Sequence, residues 1–418
     1  MTATQAHRAV EAVWRIESAR VVAGLARLVR DVGLAEELAQ DALVAALEQW
    51  PAEGVPRNPG AWLMAAGRNR AIDLIRRNEN YRRKLAEVGR ALETGQEPDL
   101  AAALAEDIQD DLLRLLFTAC HPVLSTEGRV ALTLRLLGGL STKEIARAFL
   151  VAEPTVAQRI SRAKKTLSTA KVPFETPRGA ERAARLSSVL EVIYLVFNEG
   201  YSATAGEDWL RPELCAEALR LGRVLAGLAP AEAEVHGLVA LMEIQASRNR
   251  ARVGPDGSPV LLLEQDRARW DRLLIGRGLA ALERAEQLGH PRGPYTVQAA
   301  IAACHARART AEETDWIRIA AQYQALALLT PSPVVELNRA VALGMAFGPA
   351  TGLELVDQLS EVPALRNYHR LPSVKADLLA KLGRHDEART EFLRAAELTE
   401  NTRERALLLD RANALPSI

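Results

Sequence analysis

Along residues 140–167, LSTKEIARAFLVAEPTVAQRISRAKKTL, apolar positions return with a helical period. Ile145, Ala146 and Phe149 give a short first helix its inward face. Val156, Ile160, Ala163 and Leu167 recur at i, i+4, i+7 and i+11 on a second. Ser141 stands three residues before Glu144, the spacing of a capping box, which predicts the start of the first helix. Residues 150–153 make the break, and Pro154 suits the first position of the next helix, where its missing N–H costs nothing. The outer side of the second helix carries Gln158, Arg159, Ser161, Arg162, Lys164 and Lys165 with no acid among them. Two short helices with a basic outer face predict a helix-turn-helix whose second helix enters the major groove. Arg and Lys would hold phosphates, and Gln158, Ser161 or Arg162 would read base edges. A solvated basic face on an ordinary helical hairpin is the competing reading. The turn lacks the usual glycine, since Leu150 and Val151 stand in its place.

A second patterned block lies near the N-terminus. LAEELAQDALVAALEQW (34–50) reads as an acidic amphipathic helix with Glu37, Gln40 and Asp41 close together on one side. A loop, PAEGVPRNPG (51–60), leads into AWLMAAGRNRAIDLIRRNENYRRK (61–84). There Leu63, Ala71, Leu74 and Ile75 share a core-facing side, while Asn69, Asp73 and Arg76 line another at i, i+4 and i+7. Arg68, Arg70, Arg76, Arg77, Arg82, Arg83 and Lys84 make this the most basic stretch of the N-terminal half. Trp62, beside Leu63 at a helix start, reads as core rather than as a stacking platform.

Composition extends the helical reading to the whole chain. Its 418 residues suffice for several domains, and alanine, leucine, glutamate and arginine dominate. Alternating β-branched runs are scarce, so the expected fold class is all-α. The 53 basic and 53 acidic side chains cancel, so charge has to be read segment by segment. Cys120, Cys215 and Cys304 are widely spaced, without a CxxC pair, which argues against a disulfide framework. Cys120-His121 and Cys304-His305 lack metal-ligand spacing, so no metal site is expected. The chain has no apolar run of bilayer length and no N-terminal signal pattern, which makes a cytoplasmic protein the expectation. A phosphate-cradling glycine loop, a Ser/His/Asp set and an HExxH are also missing, so neither an enzyme nor a cofactor is expected.

Taken together, the two blocks resemble the extracytoplasmic-function sigma factors of bacterial RNA polymerase. AEELAQDALVAALEQW with NPGAWLMAAGRNRAIDLIRR resembles their second conserved region, and residues 140–167 their fourth. The blocks stand in the family's order, joined by a linker at 85–106. The resemblance implies a region 2 over 1–84 and a region 4 over 107–172. It places Glu37, Gln40 and Asp41 on the polymerase clamp coiled coil. It places Asn69, Arg76 and Arg77 on the minus-ten element, with loop 51–60 capturing a flipped base. Gln158, Arg159, Ser161, Arg162 and Lys165 fall on the minus-thirty-five element, beside the polymerase flap. The family's KSR triplet is replaced by Ala157-Gln158-Arg159, so the promoter sequence does not carry over.

Typical members of this group end soon after region 4, whereas here residues 173–418 remain. SVKADLLAKLGRHDEARTEFLRAAEL carries Gly383, Ala388, Phe392 and Ala395 with tetratricopeptide spacing. A weaker upstream copy aligns with it at a shift of 36 residues, Ala340 on Ala376, Leu343 on Leu379 and Val356 on Phe392. FNEGY and ARWDR are similar to the fused helical extension of one sigma subgroup. The resemblance implies regulation of the sigma core by this extension, through contact with the core or with a signalling protein. Asn198, Glu199, Tyr201, Asp208, Arg248, Arg250, Asp266 and Arg269 form polar clusters in the extension. They read either as lining of a ligand cavity or as buried pairs and turn residues. Two rival functions remain, a stand-alone helix-turn-helix regulator with a ligand- or peptide-binding repeat scaffold and an enzyme within 181–290.

Overall fold

A computed structural model describes residues 3–87, 108–202, 209–255, 257–289 and 292–416. These form two compact units, Met1–Ile193 and Tyr194–Ile418. Helices build both, and an isolated antiparallel bridge between Val253 and Pro259 is the β pairing found among the described residues.

The first unit begins with α1 (Ala3–Val29), α2 (Val32–Glu53) and α3 (Pro59–Glu87). Asp31 caps α2 by accepting the Leu34 amide at 2.9 Å, and Asn58 does the same for α3 through Ala61 at 3.1 Å, with Pro59 next to it. Gly54, at φ +89°, closes α2 in a backbone conformation that side chains disfavour. Val21, Val22 and Leu25 of α1, Ala35, Leu38, Ala42 and Trp50 of α2 and Leu63 and Ala71 of α3 are all buried, on three helices that pack against one another. Trp62, expected in the core, is only half-buried and stands edge-on to the buried Trp50, with ring centroids 5.4 Å apart.

Four shorter helices follow: α4 (Ile108–Ala119), α5 (Thr126–Leu136), α6 (Thr142–Ala148) and α7 (Glu153–Thr169). Leu115, Leu116, Phe117, Leu132, Leu134 and Ile145 fill their core together with the stripe of α7. Then α8 (Gly179–Tyr201) ties its early turns to this group. Arg185 donates to the Phe117 carbonyl at 3.0 Å and Ser188 to the Cys120 carbonyl at 2.6 Å, while Arg129 pairs with Glu191 at 3.0 Å. Residues up to Ile193 therefore belong to the compact unit that holds the helix-turn-helix.

The second unit continues with α9 (Pro212–Leu228), α10 (Ala233–Ala246), α11 (Arg272–Leu288), α12 (Pro294–Arg307) and α13 (Trp316–Leu329). It ends with α14 (Pro333–Phe347), α15 (Pro349–Ser360), α16 (Arg370–Lys381), α17 (His385–Leu398) and α18 (Thr402–Asn413). Glu234 of α10 caps α12, accepting the Tyr295 amide at 2.8 Å and the Thr296 amide at 3.0 Å. Successive helices bury successive clusters. Leu241, Trp270, Ile275 and Leu282 share one with Ala299 and Ala303, and Val297, Ile301, Ile319 and Leu326 share the next. The last clusters follow the internal repeat, with hairpins α14–α15 and α16–α17 built alike. Ala340 and Ala376 are both wholly buried, as are Val356 and Phe392. Gly348 at φ +104° and Gly383 at φ +76° turn the chain between the helices of the two hairpins. A Cβ on Gly352 would lie 2.7 Å from the Ala340 carbonyl oxygen, so the first hairpin needs glycine to close. This stacking of helical pairs matches the spacing read from the sequence.

Candidate nucleic-acid interface

The helix-turn-helix is built as its pattern requires. Ser141 caps α6 by accepting the Glu144 amide at 3.2 Å, and the Glu144 carboxylate accepts the Ser141 amide at 2.8 Å. Burial acts to raise the Glu144 carboxyl, but the Ser141 and Arg15 donors outweigh it and hold the group below its usual range. Ile145 and Ala146 of α6 and Val156, Ile160, Ala163 and Leu167 of α7 are all buried. On the opposite face of α7, Gln158, Ser161, Arg162 and Lys165 are exposed, and Arg159 is half-buried. Leu150 takes the place of the missing turn glycine by adopting φ +50° itself, with its side chain 54% exposed. That conformation costs a non-glycine residue about 1 kcal/mol or more, and little apolar burial offsets it. Leu150→Gly should therefore raise the stability of the first unit by up to about 1 kcal/mol in urea unfolding, once the added freedom of the unfolded chain is subtracted.

In the N-terminal block, Glu37 and Asp41 are exposed and Gln40 is half-buried on one side of α2. Asp41 pairs with Arg70 of α3 at 3.1 Å, a solvent-facing contact. Asn69, Asp73 and Arg76 are exposed along α3, opposite the buried Leu63 and Ala71. The side chain of Arg77 lies outside the described residues.

Glu36, next to the exposed Glu37, is buried. It is 5% exposed, accepts from Arg135 Nε of α5 at 2.6 Å and pairs with Lys164 of α7. Arg27 of α1 meets Asp111 of α4 at 3.3 Å, and Arg15 of α1 meets Glu144 of α6 at 2.8 Å. The helices around α2 and those around α7 are thus tied by three sets of ion pairs. A cleft of about 620 Å³ lies between α2 and α7. Glu36 and Glu37 line one wall, and Ser161, Lys164 and Lys165 line the other. Acidic residues of α2 and basic residues of α7 therefore border one space.

The polar residues singled out in the extension divide differently from their sequence grouping. Arg250, Asp266 and Arg269 are exposed, and Asp266 caps a short turn through the Ala268 amide at 2.9 Å. Glu199 pairs with Arg211, and Asn198 bonds to Tyr194. Asp208 lies outside the described residues. Tyr201 and Arg248 do come together, joined by Arg252 and Arg267, two buried arginines that sequence reasoning passed over. Buried and exposed arginines alternate along RNRAR and DRAR, and the residue types alone do not separate Arg250 and Arg269 from their buried neighbours. The cysteines are buried thiols. Burial pushes Cys120, bonded to Thr133 at 3.2 Å, up to about 12, and Cys215 likewise to about 12. No helix among the described residues is long and apolar enough to cross a membrane.

Comparison with known proteins agrees with both blocks. The model of sigma-70 region 2 matches residues 15–81, and that of sigma-70 region 4 matches 114–167. The chain belongs to the sigma-70 family, the DNA-binding factors of transcription initiation. Within it, the chain is a sigma factor of the extracytoplasmic-function type with a C-terminal extension, of which residues 185–286 match a family of unknown function, DUF6596. It is 46% identical over 402 residues to the uncharacterized protein R00370 of Rhizobium meliloti (strain 1021), covering 95% of this chain and 94% of that one. Among solved structures, the crystal structure of the yeast Tom70 aligns over 91% of this chain and 80% of that one, at 12% identity and a TM-score of 0.32, too low to carry an argument.

Proposed function

We propose that the chain binds core RNA polymerase and directs it to promoters, under the control of its own C-terminal extension. Glu37, Gln40 and Asp41 meet the basic clamp coiled coil, where opposite charge gives speed and specificity of docking. Asn69, Arg76 and Arg77, with loop 51–60, hold the opened minus-ten element, whose unstacking costs a few kcal/mol per step. Gln158, Arg159, Ser161, Arg162 and Lys165 dock at the minus-thirty-five element beside the flap. In this reading the linker spans 85–106, region 4 spans 107–172, and the regulatory part is 173–418. Such a protein works in the cytoplasm, without catalysis of its own. The observation that supports it best is the exposed polar and basic face of α7, with Gln158, Ser161, Arg162 and Lys165 opposite its buried apolar stripe. Zero net charge fits this reading, because affinity for DNA also comes through polymerase.

Run-off transcription with purified core polymerase tests the proposal. The full chain, or a version ending after Tyr201, should confer promoter-dependent initiation, and failure of both would favour the stand-alone regulator. The shorter version keeps Arg185 and Ser188, which close region 4. Asp41→Arg should weaken polymerase binding at least about tenfold, with the thermal midpoint held because Asp41 is exposed. Unchanged affinity would remove the clamp assignment.

A further inference from the structure

Three arginines of the second unit are buried without a carboxylate partner among the described residues. Arg248, Arg252 and Arg267 are 8%, 7% and 8% exposed. Their hydrogen bonds run to neutral acceptors. Arg248 donates to the Tyr201 hydroxyl and the Gln245 side chain, and Arg252 donates to the Tyr201 carbonyl. Arg267 donates to the carbonyls of His305 and Ala308 at 2.6 and 2.8 Å and to Thr314 Oγ1 at 3.1 Å. Among the described residues no acid forms an ion pair with any of the three, and Glu312 and Glu313 act on Arg267 through their field alone. The Nε atoms of Arg248 and Arg267 are buried with no partner.

Aromatic rings connect these cations. Arg252 lies 3.5 Å from the Tyr201 ring centroid and Arg248 lies 5.7 Å from it. Arg248 and Arg267 share the Trp270 ring at 5.8 and 4.9 Å. The Trp209 ring also lies near Arg252, at 5.6 Å. At the surface end, exposed Arg370 donates to Ser202 at 3.2 Å and adds its field to that on Arg252. A ring face offsets only part of what a buried guanidinium loses on leaving water, and like charges placed together add to that loss. Burial pulls Arg252 down to about 10, Tyr201 acts against this, and Arg248 and Arg370 pull the same way as burial. Among the described residues no carboxylate pairs with the cluster.

We propose that this cluster is the binding site for a small molecule bearing a carboxylate or phosphate group. The oxyanion enters past Arg370 and Ser202 and is held by the guanidinium forks of Arg252 and Arg248, with Tyr201, Trp209 and Trp270 as flanking rings. Arginine forks match both oxyanions in two-pronged geometry, which lysine does not. Such a site gives the extension an input of its own, and it stands whether or not the promoter reading holds.

The test follows the thermal midpoint and tryptophan fluorescence of the full chain at constant ionic strength. Inorganic phosphate and succinate are titrated separately at millimolar concentrations, with chloride as reference. At least one should give a saturable rise in midpoint that chloride does not. A response to phosphate alone assigns a phosphate ligand, and one to succinate alone assigns a carboxylate. Arg370→Ala should weaken the response, measured from the variant's own unliganded midpoint, about tenfold. Arg248→Lys keeps the charge but loses the fork, and should weaken it as well. No response beyond chloride overturns the proposal, as does a response that neither variant alters.

Discussion

Glu36→Ala lowers the unfolding free energy of the first unit by about 2 to 3 kcal/mol, below the range for a fully buried pair because its partners are in part exposed. The carboxylate is almost wholly buried and serves two cations, Arg135 of α5 and Lys164 of α7, whose side chains are 21% and 22% exposed. Alanine removes the acid and leaves both cations mostly out of water with no opposite charge. Arg135 keeps one further bond, to the Leu140 carbonyl at 3.2 Å, which does not neutralise it. Glu36→Gln retains shape and one acceptor, so its loss should be smaller than that of alanine. Urea unfolding followed by a probe in the first unit reads the difference. A change within about 0.5 kcal/mol, the usual range for surface substitutions, would mean that the tie carries no net stability. Pairing Glu36→Ala with Lys164→Ala should show less than additive loss, because the second change removes a charge that the first has orphaned.

The same contact shows where the sequence was legible and where it was not. Faces of α2, α3 and α7 follow from the helical period alone, because side chains three and four positions apart must share a side. Buried Val156, Ile160, Ala163 and Leu167 and exposed Gln158, Ser161, Arg162 and Lys165 were readable in that way. Glu36 and Glu37 are chemically identical neighbours, and periodicity cannot tell which meets a cation from a distant part of the chain. Leu150 is a second example. Its positive φ is imposed by the helices on either side and not by its own preference. The extension hid most. Asp266 and Arg269 turned out to be solvated turn residues, whereas Arg252 and Arg267, a few positions away, carry the unusual electrostatics. Burial of a guanidinium depends on which ring happens to lie above it, and those rings come from Tyr201 and Trp270, distant in sequence from one another.

Stability of the second unit should fall as the pH drops below about 6.5, by about 1.4 kcal/mol per pH unit, through His305. This ring on α12 is 8% exposed, stands edge-on to Trp316 at 5.2 Å, and has a buried Nδ1 without a partner. Burial first, then the fields of Arg248 and Arg267, push its pKa from 6.5 down to about 3. Between those two values the unfolded chain carries a proton that the folded chain refuses, so lowering the pH favours unfolding, and the loss levels off below about 3. Carboxylates also titrate in part of that window, which makes a difference between variants the proper measurement. His305→Phe keeps a ring against Trp316 and removes the titrating group. By about pH 4.5 the parent should have lost about 2 to 3 kcal/mol more than the variant, relative to pH 7.5, in urea unfolding. Parallel stability curves over that range would show that His305 takes up its proton in the folded state despite the two arginines. An oxyanion bound to the arginine cluster should shrink the difference between parent and variant, because it cancels part of the field that keeps His305 neutral.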